Sequence, residues 1–169
     1  MNFCLEFAKL NRQLMLNAVV NIIRRIFGKT ISVDDMVTIH HNYASEEEHF
    51  GERVWVHRKG ATCAERGLLG IIPGSMGTPS FITRGLGNPD SFNSCSHGAG
   101  RRMSRGQAKK RITIDEFREA MDGVASCDVD AEHLDESPGA YKNVKTVMRE
   151  QQDLTEVVHE LRPLINMKG

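Results

Sequence analysis

From Val37 onward the chain breaks into short β-rich runs, VTIHH, RVWVHR and LLGIIPG, separated by acidic or glycine-bearing turns. That texture predicts a sheet, antiparallel in part. Helices flank it. Phe3, Phe7, Leu10, Leu14, Ala18, Ile22 and Ile26 fall three or four residues apart before Gly28, the pattern of a long amphipathic helix with a stop. Its apolar stripe is wide enough to require a partner surface, and no capping residue precedes Phe3. Thr113-Ile-Asp-Glu116 has the capping-box form before FREAMDGVA, Val144, Val147 and Met148 repeat helical spacing, and an apolar strand is expected around Val157 to Leu161. The expected class is α+β. With no internal repeat or low-complexity linker, residues 1–169 read as a single domain large enough to bury its own core.

Charge and cysteine usage narrow the function classes. The 22 Lys and Arg balance the 22 Asp and Glu, so the whole chain has no electrostatic pull toward nucleic acid, and any basic site must be local. No 18-residue apolar run predicts a membrane span. Cys4, Cys63, Cys95 and Cys127 form no CxxC pair and follow no signal peptide, which predicts reduced thiols and a cytoplasmic location.

The local basic site is sought where the glycines are. Between Arg58 and Arg105, glycine occurs at 60, 67, 70, 74, 77, 85, 87, 98 and 100, where backbone N–H groups can turn toward an anion without Cβ obstruction. Arg58, Lys59, Arg84, Arg101, Arg102 and Arg105 stand beside them, and PGSMGTPS (73–80) adds hydroxyls. Within SFNSCSHGAGRRMSR, His97 offers a neutral imidazole for attack on phosphorus, with backbone amides and arginines to neutralise phosphate oxygens. Cys95 is the rival nucleophile, a thiol whose pKa nearby arginines would lower. His40 and His41 would alternate faces of a strand, one of them toward a metal, and Glu46-Glu47-Glu48-His49 reads as a solvated turn rather than a metal site. His57, His133 and His159 belong to no motif.

HHN, VHRKGA, IPGSMG and SHGAGR-x-x-SR occur in order, followed by AYK and a terminal MKG. Together they resemble the carboxy-terminal half of the RtcB RNA ligases across essentially the whole chain. The resemblance implies an α+β fold and an enzyme that joins RNA 3′-phosphate or 2′,3′-cyclic phosphate ends to 5′-hydroxyl ends. GTP and Mn²⁺ serve that reaction in tRNA splicing and RNA repair. His97 then inherits the nucleophile that attacks the α-phosphate of GTP, and Cys95 becomes a bystander. The guanylate passes to the RNA 3′-phosphate, and the 5′-hydroxyl displaces GMP. By the same resemblance Ala99 and Gly100 hold the nucleotide phosphate through their amides, and Ser75, Ser80, Tyr141 and Lys168 surround the guanosine. Lys59, Arg101 and Arg105 take RNA phosphate, and His41 is a manganese ligand.

Members of that family are more than twice as long, and their other metal ligands lie in amino-terminal segments without counterpart here. The expectation is a chain truncated at its amino terminus that works with a separately supplied amino-terminal half. The alternative is a catalytically incomplete fragment that binds nucleotide and RNA phosphate without the metal.

Overall fold

The computed structural model describes residues 2–28, 36–40 and 42–168. The expected long helix is present as α1 (Asn2–Phe27). Its stripe meets no partner among the described residues: Phe3 is 81% exposed and Ile26 68%. None of the helices is long and apolar enough to cross a membrane among the described residues.

The strands are β1 (Tyr43–His49), β2 (Glu52–Arg58), β3 (Ala61–Cys63), β4 (Leu69–Ile72), β5 (Ser80–Gly85), β6 (Ser94–Ser96) and β7 (Thr155–Leu161). They pair antiparallel in three small sheets, β1-β2, β3-β6 and β4-β5-β7. The helices α2 (Arg105–Arg111), α3 (Ile114–Ala120) and α4 (Val144–Arg149) complete an α+β architecture. Thr113 caps α3 in a reciprocal capping box with Glu116, as its spacing predicts, and Ser104 caps α2 in the same way with Gln107.

The first strand corrects two expectations. Of the VTIHH run, residues 37–40 adopt no strand, and His41 lies outside the described residues. The acidic run expected as a turn is instead the body of β1, hairpinned to β2 through Phe50 and Gly51, both at positive φ as a two-residue primed turn requires. Glu46 and Glu48 face solvent while Glu47 and His49 face inward. Inside, Arg58 is only 2% exposed. It pairs with Glu47 through both terminal nitrogens (Nη2–Oε2 2.8 Å), and donates to Ser94 Oγ and Phe92 O at 2.9 Å each. Arg58 is therefore not part of a phosphate-facing surface: its donors clamp the hairpin to the segment leading into β6.

The Arg58 hydrogen bonds lower the Glu47 carboxyl from the ordinary 4.5 to about 2, against burial, with help from His49 and Ser45. A depressed carboxylate contributes stability that is fully present above pH 4.5 and is lost as pH falls through about 2. Glu47→Gln should therefore be less stable than the unchanged chain at pH 7, by about 1–2 kcal/mol after solvent screening, with the gap closing toward pH 2. Urea unfolding at pH 7, 4 and 2.5 measures this, and a constant gap would refute it.

Two apolar clusters lie beneath the glycine-rich loops. Ala64, Ile72, Phe81, Cys95, Ala99, Val144 and Met148 form one, with Tyr141 and Leu154 packed against it. Met76, Phe117 and Met121 form the other, with Ile112 and Leu134 among its neighbours. The PGSMG turn runs from Ile72 in the first to Met76 in the second, so Ser75 is held between two anchored side chains. Its glycines serve close approach: a Cβ on Gly74 would sit 2.2 Å from Pro79 O, and one on Gly77 2.3 Å from Ala120 O.

Candidate functional site

Strand β6 pairs with β3 and ends at Ser96, so His97 begins the loop just beyond the sheet edge. Backbone contacts fix that loop on several sides. The Ser96 N–H donates to Gln151 Oε1 at 2.9 Å, the His97 N–H to Gly60 O at 3.3 Å, and the Ala99 N–H to Pro73 O at 3.0 Å. Gly100 sits at φ +71°, and an antiparallel bridge between Arg101 and Tyr141 follows, with the Lys142 N–H on Gly100 O at 2.9 Å. The Ala99 amide, expected on phosphate, is thus committed to Pro73, and its methyl is core. The Gly100 N–H has no protein acceptor among the described residues. His97 itself is half-buried.

Ser75 and Ser80 of one turn, Tyr141 and Lys168 come from three separate stretches of sequence and line one pocket of about 230 Å³, with Glu136 and Asn166. That volume suits part of a ligand, such as a nucleobase, rather than a whole nucleotide. Ser75 and Ser80 are oriented within the turn: Ser75 Oγ lies 2.8 Å from Thr78 Oγ1, and Ser80 Oγ accepts from the Gly74 N–H at 3.4 Å. Asn166 Oδ1 is buried without a hydrogen-bond partner among the described residues, an acceptor that a bound donor would satisfy.

Glu136 organises this pocket, and nothing in its local sequence announced it. It accepts from Tyr141 Oη at 2.6 Å, Arg105 Nη1 at 2.8 Å and Lys168 Nζ at 3.3 Å. Burial works to raise the Glu136 carboxyl, but the Tyr141 hydrogen bond and the charges of Lys168 and Arg105 outweigh it and hold the group below its ordinary range. Burial pushes the Tyr141 phenol up to about 12, with the Glu136 carboxylate adding to it, so the hydroxyl stays protonated and donating. The signal available in the sequence was the charge excess: Arg101, Arg105 and Lys168 need a counter-charge, and Asp135-Glu136 precedes AYK. Lys168 is anchored as well as paired. Its N–H donates to Asp128 Oδ2 at 2.7 Å, and the preceding residues are tied to Ala125 by the Asn166 N–H on Ala125 O at 2.9 Å.

The basic residues separate into two groups. Arg84 pairs with Glu156, and Arg105 pairs with Asp135 and Glu136 at 2.7 and 2.8 Å. Arg101, expected on RNA phosphate, donates to Met103 O, Tyr141 Oη and Asp135 O, and its guanidinium lies 4.8 Å from the Tyr141 ring centroid. Those acceptors leave one N–H on each terminal nitrogen, so its first task is to hold Tyr141. Arg105 keeps an exposed side chain at the mouth of the pocket. Lys59 is exposed at the end of β2, beside the Gly60 carbonyl that receives the His97 N–H. Among the described residues Lys59, Arg102 and Lys142 form no ion pair.

Cys95 is 4% exposed within the first apolar cluster, and burial pushes its thiol up to about 11. The arginine-activated thiolate is therefore corrected to a protonated core side chain. Among the described residues no three His, Cys, Asp or Glu side chains gather as metal ligands, and His41 lies outside them.

This arrangement defines an α+β protein with a polar, base-sized pocket set beside a glycine loop and a histidine. Over residues 1–169 the chain matches the family described as tRNA-splicing ligase RtcB, and it belongs to that family. It is 49% identical to the RNA-splicing ligase RtcB of Escherichia coli (strain K12), over 96% of this chain and 41% of that protein. It is 35% identical to RNA-splicing ligase RtcB homolog 1 of Entamoeba histolytica, over 100% of this chain and 37% of that protein. To the tRNA-splicing ligase RtcB of Pyrococcus horikoshii the identity is 34%, over 97% of this chain and 22% of that protein. The chain thus spans about two fifths of the length of these relatives, or less.

Proposed function

We propose that this chain is the guanylate-accepting portion of a GTP-dependent RNA ligase, with His97 as the nucleophile and the pocket of Ser75, Ser80, Glu136, Tyr141 and Lys168 as the guanine site. One observation carries the reading: the residues assigned to guanosine by resemblance line a single pocket, and the SHGAG loop is tied to that pocket's wall by the Ala99 N–H on Pro73 O. The pocket's chemistry fits guanine, whose N1–H and N2 amino group donate and whose O6 accepts. Glu136 and the orphaned Asn166 Oδ1 supply acceptors, and Lys168 supplies a donor.

In this reading the His97 imidazole attacks the α-phosphorus of GTP, and pyrophosphate leaves. The resulting phosphoramidate passes its guanylate to an RNA 3′-phosphate. The 5′-hydroxyl of the second strand then attacks that phosphorus and GMP departs. The Gly100 N–H and Lys59 offer donors for phosphate oxygens during these steps. The described residues do not by themselves build a site for Mn²⁺. GTP, Mn²⁺ and RNA ends are the partners this reading requires, with the metal's remaining ligands supplied by an amino-terminal portion.

The test is incubation with α-labelled GTP and Mn²⁺, with and without the amino-terminal portion of a relative supplied in trans. Acid-labile, alkali-stable label is expected on this chain in the complemented mixture, with little or none on the chain alone. Strong label on the isolated chain would overturn the requirement for outside ligands. No label in either mixture, with the two parts shown to associate, would favour the reading as a nucleotide- and phosphate-binding fragment.

A further inference from the structure

Next to the base pocket, and sharing Tyr141 with it, lies a second cleft of about 360 Å³, lined by Thr78, Arg102, Tyr141, Lys142, Asn143 and Lys145 among others. Three of its walls are cationic and none carries a carboxylate. This distinguishes it from the base pocket, where Glu136 meets the cations directly. Lys145 reaches out of the cleft to Glu160 at 3.2 Å, whereas Arg102 and Lys142 make no ion pair among the described residues. Arg102 spends only its Nε, on Gly139 O at 2.7 Å, which orients the guanidinium and leaves both terminal nitrogens to a ligand.

The cleft is coupled to the histidine loop. The bridge that closes the loop puts the Lys142 N–H on Gly100 O and the Arg102 N–H on Ala140 O, so the same backbone pairing sets both cations. The Lys142 stem passes over Gly100, with Cδ 4.0 Å from where a Cβ would stand. Unpaired cations cost self-repulsion that a bound polyanion relieves, and their position beside the glycine loop suits a chain of phosphates more than a single one.

We propose that the Arg102–Lys142 cleft binds the backbone phosphates of the RNA strand next to its reacting end, a contact separate from the base pocket. The proposal rests on the RNA ligase reading for the identity of its polyanion. The cleft guides the strand past Tyr141 toward His97, and its contribution is electrostatic and sequence-independent.

The experiment measures binding of a dye-labelled single-stranded RNA ending in a 3′-phosphate by fluorescence anisotropy, across a salt series. The unchanged chain is compared with Arg102→Gln/Lys142→Gln and with Lys110→Gln/Arg111→Gln. The second pair removes the same charge from exposed positions on α2. Losing two phosphate contacts should weaken binding about tenfold or more at low salt and reduce the slope of log K against log salt by about 1.4, at 0.7 per phosphate of a single strand. The α2 pair should keep the slope of the unchanged chain. Equal losses in both pairs, an unchanged slope in the cleft pair, or no RNA binding by the unchanged chain would each overturn the proposal. Guanylylation in the complemented mixture is read in parallel on the cleft variant. Label retained while RNA binding falls supports the cleft, whereas label absent from the unchanged chain refutes the ligase reading and is scored apart from the salt slopes.

Discussion

His97→Ala should abolish covalent guanylate on this chain in the complemented enzyme, while Cys95→Ser should leave it largely intact. The two residues lie two positions apart, yet the fold gives them opposite environments. Cys95 is inside β6, opposite Thr62, with its side chain in the cluster of Ile72, Phe81, Val144 and Met148. Burial holds its thiol protonated well above neutral pH, with a value of about 11, so it is neither nucleophilic nor reachable. His97 follows the strand, beyond the pairing of Ala61 with Ser96, half-buried, with its backbone N–H drawn back to Gly60 O. Removing a nucleophile lowers turnover by about three orders of magnitude or more, which brings label to background. Replacing Cys95 by serine buries a hydroxyl at a cost of about 1–3 kcal/mol, a stability change visible in unfolding curves rather than in label per folded mole. Label is quantified per mole of folded protein after alkali and after acid. Alkali-stable label persisting in His97→Ala, or vanishing in a folded Cys95→Ser, would reassign the nucleophile.

Elements whose determinants are local were legible in the sequence. The capping box at Thr113, the apolar spacing of α1 and α4, and the β-rich runs of β2, β4 and β7 each depend on residues within a few positions of one another. The acidic run of β1 misled for the opposite reason. Three glutamates and a histidine in sequence have no apolar alternation, and what makes Glu47 an inward residue is Arg58, supplied by the partner strand. The same holds at the site. The motifs containing His97, Ser75 and Tyr141 could be recognised as blocks, but the charge ledger among them could not. Arg58, Arg84, Arg101 and Arg105 look like one basic surface when read in order, and the fold returns each of them to an acceptor elsewhere: Glu47, Glu156, Asp135 O and Glu136. Arg102 and Lys142, which form no ion pair among the described residues, come from two segments brought side by side at the Arg101–Tyr141 bridge. The anchoring of Lys168 has no local signal, because its partners are far off in sequence. Asp128 and Glu136, 40 and 32 residues away, hold it.

Arg58→Met should destabilise the fold by about 3–5 kcal/mol, the cost of stranding one member of a buried ion pair. Glu47, with its side chain 14% exposed, would lose both guanidinium contacts, and Phe92 O and Ser94 Oγ would lose donors at the entrance to β6. The effect reaches the site through two short links. Arg58 precedes Lys59 and Gly60 at the end of β2, and Gly60 O holds the His97 N–H, so a hairpin released from β6 moves the exposed Lys59 and the histidine loop together. Arg58→Lys should rescue little, because one ammonium cannot reproduce the two-nitrogen contact with Glu47 while also reaching Ser94 and Phe92 O. The paired change Glu47→Leu/Arg58→Met removes both charges and should recover most of the loss, since uncharged partners of similar volume no longer leave a carboxylate without its counter-ion. Urea unfolding of the single, conservative and paired variants measures the coupling. If Arg58→Met lies within about 1 kcal/mol of the unchanged chain, or the paired change is no better than the single one, the clamp is not what holds the hairpin against β6.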